Sequence, residues 1–523
     1  MAQDDGAREA LTTASEAVTE AVTEAQVLAM PGRRSVLANA MHLLYSQAIT
    51  WILALVIATI QPRLLGPDGQ GLIRLAFSLW TIAQVFIGLG TSNLLTLEIA
   101  RDREQGASIF GPVLTLRLLG FTVSTAAIFG FAIVTGATRQ TFVVLALIGF
   151  STLATSLGLA ARYALMGFER MGFTAVADVA AKVIQTIGVI LVLVGGGGVE
   201  GVAACFLAAG LLNALMMFRF LRRFPGCRFR PTLGGSRRIL HLSVGFLVAE
   251  ATLIIYQQVD TIVLAALVDK RELGWYATSD TLFASFLFIP SILLSSLFPV
   301  IGRLHVEDPA RLRKLVERSF ASLLVVGVPI GLGTMVIGAP LALLVYGERF
   351  RQAGQILSVL GLVIILVFVT ILFGFVAVGT GRQRFWNTVM IVAIVASVPL
   401  DIVLVPWMER RHHNGAIGGA LSYLITEGFM TVMGLWKIAP QVMSRSSLVR
   451  TGKILLAGAL MTLASWPWRE RLLLIPVGVG AVVYVACIMA LRVLTDDELL
   501  RARALVARAT GGRLAGASRG GRG

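Results

Sequence analysis

One feature limits this chain more than any other: about fourteen apolar stretches, most of them longer than the roughly 18 residues that carry a helix across a bilayer. They cover residues 37–60, 72–97, 109–134, 141–161, 173–194, 199–221, 240–268, 275–302, 319–345, 356–378, 385–406, 415–438, 450–467 and 471–493. Hydrocarbon offers no water to satisfy backbone N–H and C=O groups, so each stretch closes its hydrogen bonds as a helix. The predicted fold class is an all-α integral membrane protein of about fourteen transmembrane helices. Composition agrees, with 56% hydrophobic and 14% charged residues. A soluble chain carries about 45–50% and 25%, so a soluble enzyme is excluded.

The net charge of +16 does not point to nucleic acid. The basic residues sit in short loops between apolar runs, not on one face interleaved with aromatics. With the N-terminus inside, about 32 of the 45 Lys and Arg residues fall on the inner side and about 11 on the outer. The loops 219–238, 302–318 and 436–453 carry much of that excess. This bias predicts a multi-pass protein with an even number of spans and both termini cytoplasmic.

Cys205, Cys227 and Cys487 show no paired spacing, so neither a disulfide framework nor a metal site is expected. Residues 1–30 are acidic and lack the basic-then-apolar order of a cleavable signal. The expected organisation is a cytoplasmic tail (1–34), a six-helix bundle (35–224), a basic linker (225–238), a second six-helix bundle (239–440), helices 13 and 14 (441–494) and an Arg/Gly-rich tail (495–523). Such a tail is attracted to anionic membrane lipids.

The two bundles read as a duplication. Gly167, Arg170 and Phe173 match Gly379, Arg382 and Phe385 at one offset of 212 residues. GPDGQGL (66–72) and DKRELGW (269–275) are each followed, about 30 residues on, by an inner loop, at Arg101 and Arg303. Six helices per half keep the halves parallel, related by a pseudo-twofold axis near the membrane normal, as in transporters that rock about a site between repeats.

Three stretches carry a resemblance. PRLLGPDGQGL (62–72), DTIVLAALVDKRELGWY (260–276) and LDIVLVPWMERRHHNGAIGGALSYLITE (400–427) resemble the Wzx-type polysaccharide flippases. That family lies within the MOP exporter superfamily, alongside MurJ and the MATE drug exporters. Gln70 stands where the family usually has Tyr, and Asp401 where it has Asn. The first helix lacks the arginines of MurJ-like lipid II flippases. The resemblance implies translocation of an undecaprenyl-linked oligosaccharide to the outer face by alternating access, for exopolysaccharide, O-antigen or capsule synthesis. It also implies contact with membrane lipids and with polysaccharide polymerase or assembly proteins. A MATE-like cation-coupled drug antiporter and a lipid II flippase are the alternatives. A membrane-embedded enzyme is disfavoured, because polymerases of that class usually carry a large external loop with catalytic residues and every outer loop here is short.

A polar, usually anionic headgroup needs a wet, partly cationic cavity. Intramembrane charges cost about 2.5–3.5 kcal/mol at a helix centre, so they face a cavity or one another. Arg117 and Lys182 are the basic residues well inside spans. Lys182 has Asp178 at i−4 and can pair with it; Arg117 has no acid at i±3 or i±4 and is the first candidate for the cavity. Asn39, His42, Ser46 and Thr50 share one face of the first helix, either lining the cavity or bonding between helices. On the seventh helix Glu250, Gln257 and Asp260 fall within roughly 80°. Gln257 is assigned to the cavity. Glu250, Asp260 and Glu427 are candidates for binding a coupling H+ or Na+, or alternatively for structural pairing. Arg101, Arg170, Arg303 and Arg382 are expected at the cytoplasmic gate. No catalytic residue, cofactor or metal site is expected. His412 and His413 lack further ligands at metal spacing, and GGGG (195–198) has no strand–helix context for phosphate.

Overall fold

The computed structural model describes residues 33–102, 108–168, 170–224, 227, 230–470 and 473–493. Most of the tails expected at 1–34 and 495–523 therefore lies outside the described residues. The described part is helical, with no strand. The helices are α1 (Arg33–Gly88), α2 (Thr91–Arg101), α3 (Phe110–Val134), α4 (Arg139–Gly167), α5 (Met171–Val194), α6 (Gly198–Leu221), α7 (Ser236–Leu267), α8 (Lys270–Phe286), α9 (Phe288–Glu307), α10 (Pro309–Tyr346), α11 (Ala353–Gly379), α12 (Gln383–His412), α13 (Ala416–Met433), α14 (Arg445–Ser465) and α15 (Leu474–Ala490).

These elements carry fourteen passes. Among the described residues 12 segments are long and apolar enough to cross a membrane, and Leu474–Ala490 is a shorter apolar helix. One of the 12, Ile49–Arg101, runs through Gly66, where the backbone leaves the helix (φ 78, ψ 171). Gln61 donates to Gln70 at 2.9 Å across that point, a contact that about 13 Å of continuous helix would not permit. The first and second passes thus form a hairpin, and α15 completes the count.

Two breaks inside passes were not legible beforehand. Span two stops at Gly88 and resumes at Thr91, with Leu89 and Gly90 in the left-handed region. Span eight divides into α8 and α9 because Pro290 has no N–H for the carbonyl of Phe286. Elsewhere the helices outrun the apolar segments: α10 begins at Pro309 and α12 reaches His412.

The duplication recurs in backbone geometry. Arg170 N–H donates to Leu165 O at 2.9 Å, and Arg382 N–H donates to Ala377 O at 2.7 Å, the same turn at the offset of 212. The two halves then meet along their own symmetry. A Cβ on Gly71 would stand 1.8 Å from the carbonyl oxygen of Lys270, and one on Gly274 would stand 2.0 Å from that of Pro67. Pro67 and Lys270, like Gly71 and Gly274, are related by an offset of 203. The crossing is isologous, each half presenting the same patch to the other, and only glycine allows backbones to approach so closely.

On the face expected to lie outside, hereafter the outer face, this crossing is reinforced by Arg271–Asp68 (3.4 Å), by Lys270 Nζ to Thr141 Oγ1 (3.1 Å) and by Arg63 to the Leu344 carbonyl. The appended pair belongs to the second half. Pro329 leaves the Val325 carbonyl without its helical donor, and Tyr484 of α15 donates to it at 2.9 Å.

Candidate translocation cavity

Two of the cavities among the described residues carry charged side chains of opposite balance, one in each half. The first, of 610 Å³, is walled by spans one, two, four, five and six. Its charged residues are Arg162, Asp178 and Lys182, with Gln47, Gln84 and Asn213 among its polar ones. The i,i+4 pairing of Asp178 with Lys182 gives way to a tertiary one. Arg162 of α4 binds Asp178 at 3.0 Å and Asn213 of α6 donates to it at 3.1 Å. Lys182 donates instead to the neutral Gln185 at 3.0 Å. Two cations against one carboxylate leave the cavity with a surplus positive charge. Arg162 lay one residue beyond the expected end of span four, which is why the sequence did not single it out.

Arg117, expected in the cavity wall, lines neither cavity. It is fully buried and donates to the carbonyl and, at 3.2 Å, the hydroxyl of Ser156, to Ser92 at 2.9 Å and to Thr91 at 3.4 Å. Glu250 of α7 lies within its electrostatic reach. The physical reason is that both terminal nitrogens find acceptors there, the break at Leu89–Gly90 turning Thr91 and Ser92 toward them, while Nε alone stays without a partner. Arg117 therefore stitches α2, α3 and α4 at the kink, with α7 beside it.

The second cavity, of 880 Å³, lies among spans seven, eight, ten, eleven and twelve. It has the opposite sign. Asp260, Asp280 and Glu427 line it, together with Tyr256, Tyr276 and Tyr423. Glu427 accepts hydrogen bonds from Tyr256 and, at 2.8 Å, from Thr370. Asp260 has one buried carboxylate oxygen without a partner, and fully buried Asp401 stands close by. Gln257 lines the same cavity and is exposed to it. The cation is contributed from the other half: Arg74 of span two binds Asp280 at 2.7 Å and Thr261 at 3.1 Å. Arg74 was missed because it lies at the edge of its apolar stretch, one turn past Gly71.

Asn39 and His42 lie on α1, but their side chains fall outside the described residues. The four inner arginines each bond within their own half or stand exposed. Arg101 pairs with Glu98 (3.4 Å), Arg303 with Glu307 (3.7 Å), and Arg382 donates to the Lys437 carbonyl (2.8 Å). Arg170 is exposed at the start of α5. On that face the halves meet along α7, whose Ser243 and Leu247 backbone packs on Gly90.

Residues 36–305 match the family model described as polysaccharide biosynthesis protein. No curated protein matches the sequence. Among solved structures, lipid II flippase MurJ in an inward closed conformation superposes with a TM-score of 0.68, at 14% identity, over 86% of this chain and 98% of that one. An inward-facing multidrug resistance MATE family transporter of the MOP superfamily gives 0.59, at 16% identity, over 76% and 96%. An outward-facing transporter of the same description gives 0.50, at 16% identity, over 78% and 96%. The architecture is the fold that these solved structures share, with two parallel six-helix halves.

Proposed function

The chain belongs to the polysaccharide biosynthesis protein family, and from that premise we propose that it is a flippase for a lipid-linked saccharide, undecaprenyl-borne, which it turns to the outer face of a bacterial inner membrane. One observation carries the reading: beneath a closed outer crossing, the first half offers a cavity with a surplus cation. A lipid diphosphate is the ligand class that such a site favours. Arg162, held by Asp178, supplies a planar fork for phosphate oxygens, and Lys182 supplies a mobile point charge. Arg117 supports this site as a positioning residue, by fixing the kink of span two. Asn39 and His42 would extend the polar track along span one toward the cytoplasm.

Access alternates by rocking of the halves. When the inner side closes, Arg101 and Arg303 exchange their same-helix partners, so that Glu98 and Glu307 bridge the halves; Arg170 and Arg382 join that gate. The acidic second cavity would bind the coupling H+ or Na+ at Asp260, with Asp401 and Glu427 behind it and Glu250 as a further candidate. Polymerase or assembly proteins would receive the flipped product.

A second reading has its own support. Three tyrosines beside three carboxylates also suit an organic cation, as a MATE-like antiporter would require. Deleting the gene separates the two. Build-up of lipid-linked saccharide on the cytoplasmic leaflet, relieved by wild type but not by Lys182→Glu, supports the flippase. Normal glycan export with increased sensitivity to cationic drugs replaces it with the antiporter.

A further inference from the structure

A third cavity, of 230 Å³, lies directly under the outer crossing, between spans one, two and eight. It shares Ala54 and Phe77 with the first cavity and Arg74 with the second, so it lies between the two. Its volume is on the scale of one sugar ring. The wall is mostly apolar, with Gln61, Gln70, Arg74 and Thr281 as its polar side chains and Phe77 as its aromatic face.

Two of those groups have unmet hydrogen-bonding capacity. Gln61 is 5% exposed, and its Nε2 donates to Gln70 Oε1 at 2.9 Å. Its own Oε1 is then buried without a donor. Arg74 spends one terminal nitrogen on Asp280 and Thr261, while its Nε is buried without an acceptor. A buried acceptor without a donor is costly, and a ligand that supplies one removes the cost.

Charge decides which ligand. Asp280 neutralises Arg74, so this cavity, unlike the first, holds no surplus cation for a phosphate. A buried amide acceptor, a spare N–H donor, an aromatic face and an apolar floor match the hydroxyls and C–H face of a neutral sugar. Position agrees with that division. From Gln84, in the first cavity, to Gln70 is about 21 Å along the helix of span two. A headgroup anchored by its diphosphate below would carry its sugar toward the crossing.

We propose that Gln61 and Gln70 form a neutral-sugar subsite beneath the outer crossing, distinct in depth and chemistry from the cationic anchor at Arg162 and Lys182. The proposal rests on the flippase reading and deepens it. Binding of two probes to the full-length protein in nanodiscs tests it: a polyprenyl diphosphate bearing a neutral oligosaccharide long enough to cover that distance of about 21 Å, and the same lipid without sugar. The Gln61→Leu, Gln70→Leu double variant is expected to lose tenfold or more in affinity for the sugar-bearing lipid and less than twofold for the bare one. Lys182→Gln should weaken both. Retained binding of the bare lipid shows that the double variant is folded, and Gln70→Ala alone repeats the comparison with a smaller change. Unchanged affinity for the sugar-bearing lipid, or equal loss on both probes, overturns the subsite and leaves the flippase reading standing. Wild-type protein that binds neither probe overturns the flippase reading itself.

Discussion

The two halves share one scaffold and have cavities of opposite sign. In the first, Arg162 and Lys182 face a single carboxylate, Asp178. In the second, Asp260, Asp280 and Glu427 face a single cation, and that cation, Arg74, is borrowed from the first half. Duplication fixed the backbone, as the matched turns at Arg170 and Arg382 and the reciprocal glycine crossing show. Side-chain divergence then gave the two cavities opposite charge. An excess of one sign in each chamber matters physically: charges in equal number would all pair with each other, as Arg162 does with Asp178 and Arg74 with Asp280, and leave none for a ligand.

The largest expected effect comes from separating the halves where they touch. Gly71→Val and Gly274→Val should each abolish transport and raise outer-face labelling of a cysteine placed at Gln61, which is 5% exposed beneath the crossing. Because the contact is reciprocal, the two variants should behave alike; a tolerated Gly274→Val beside a dead Gly71→Val would break the symmetry argument. Next is Lys182→Glu, which reverses the surplus charge of the first cavity. A charge-assisted hydrogen bond is worth about 1.5–3 kcal/mol, so affinity for a polyprenyl diphosphate should fall by about 10- to 100-fold. Lys182→Arg should keep most of it. Equal affinity in the Glu variant, measured by ligand-dependent thermal shift, would remove the contrast between the cavities.

Glu427→Gln sharpens the comparison from the other side. The amide can still accept from Tyr256 or Thr370, so folding should survive, while uphill transport driven by an ion gradient should drop and downhill exchange persist. Loss of both in proteoliposomes would make Glu427 structural. Tyr484→Phe should cost about 1–3 kcal/mol by orphaning the Val325 carbonyl, read as a lowered melting temperature with ligand affinity unchanged. The smallest effect is expected from Asp68→Asn at the exposed pair with Arg271, below about 1 kcal/mol.

Much of the plan was legible from the residues, but the site less so. The spans, their hairpin order and the repeat follow from apolar run length and from Gly167, Arg170 and Phe173 recurring at Gly379, Arg382 and Phe385. Lys182 and Gln257 do face cavities, and Asp260 and Glu427 line the acidic one. Arg117 does not, because the serine and threonine donors and acceptors that enclose it come from α2 and α4, which lie near it only after folding. Arg74 and Arg162 were passed over as edge residues, since a hydropathy boundary cannot tell a snorkelling arginine from one that turns inward to a carboxylate on another helix.

What the sequence by itself determined is therefore what the bilayer dictates to one helix at a time: which stretches span, which ends are basic, and that six passes were copied. A single apolar run suffices for that, because the lipid is a uniform partner. Which charges pair, which cavity each lines and where the two halves touch were decided only by the tertiary structure. Asp178 had Lys182 one turn away and took Arg162 from the neighbouring helix, and that choice depended on how the helices pack, which local spacing does not contain.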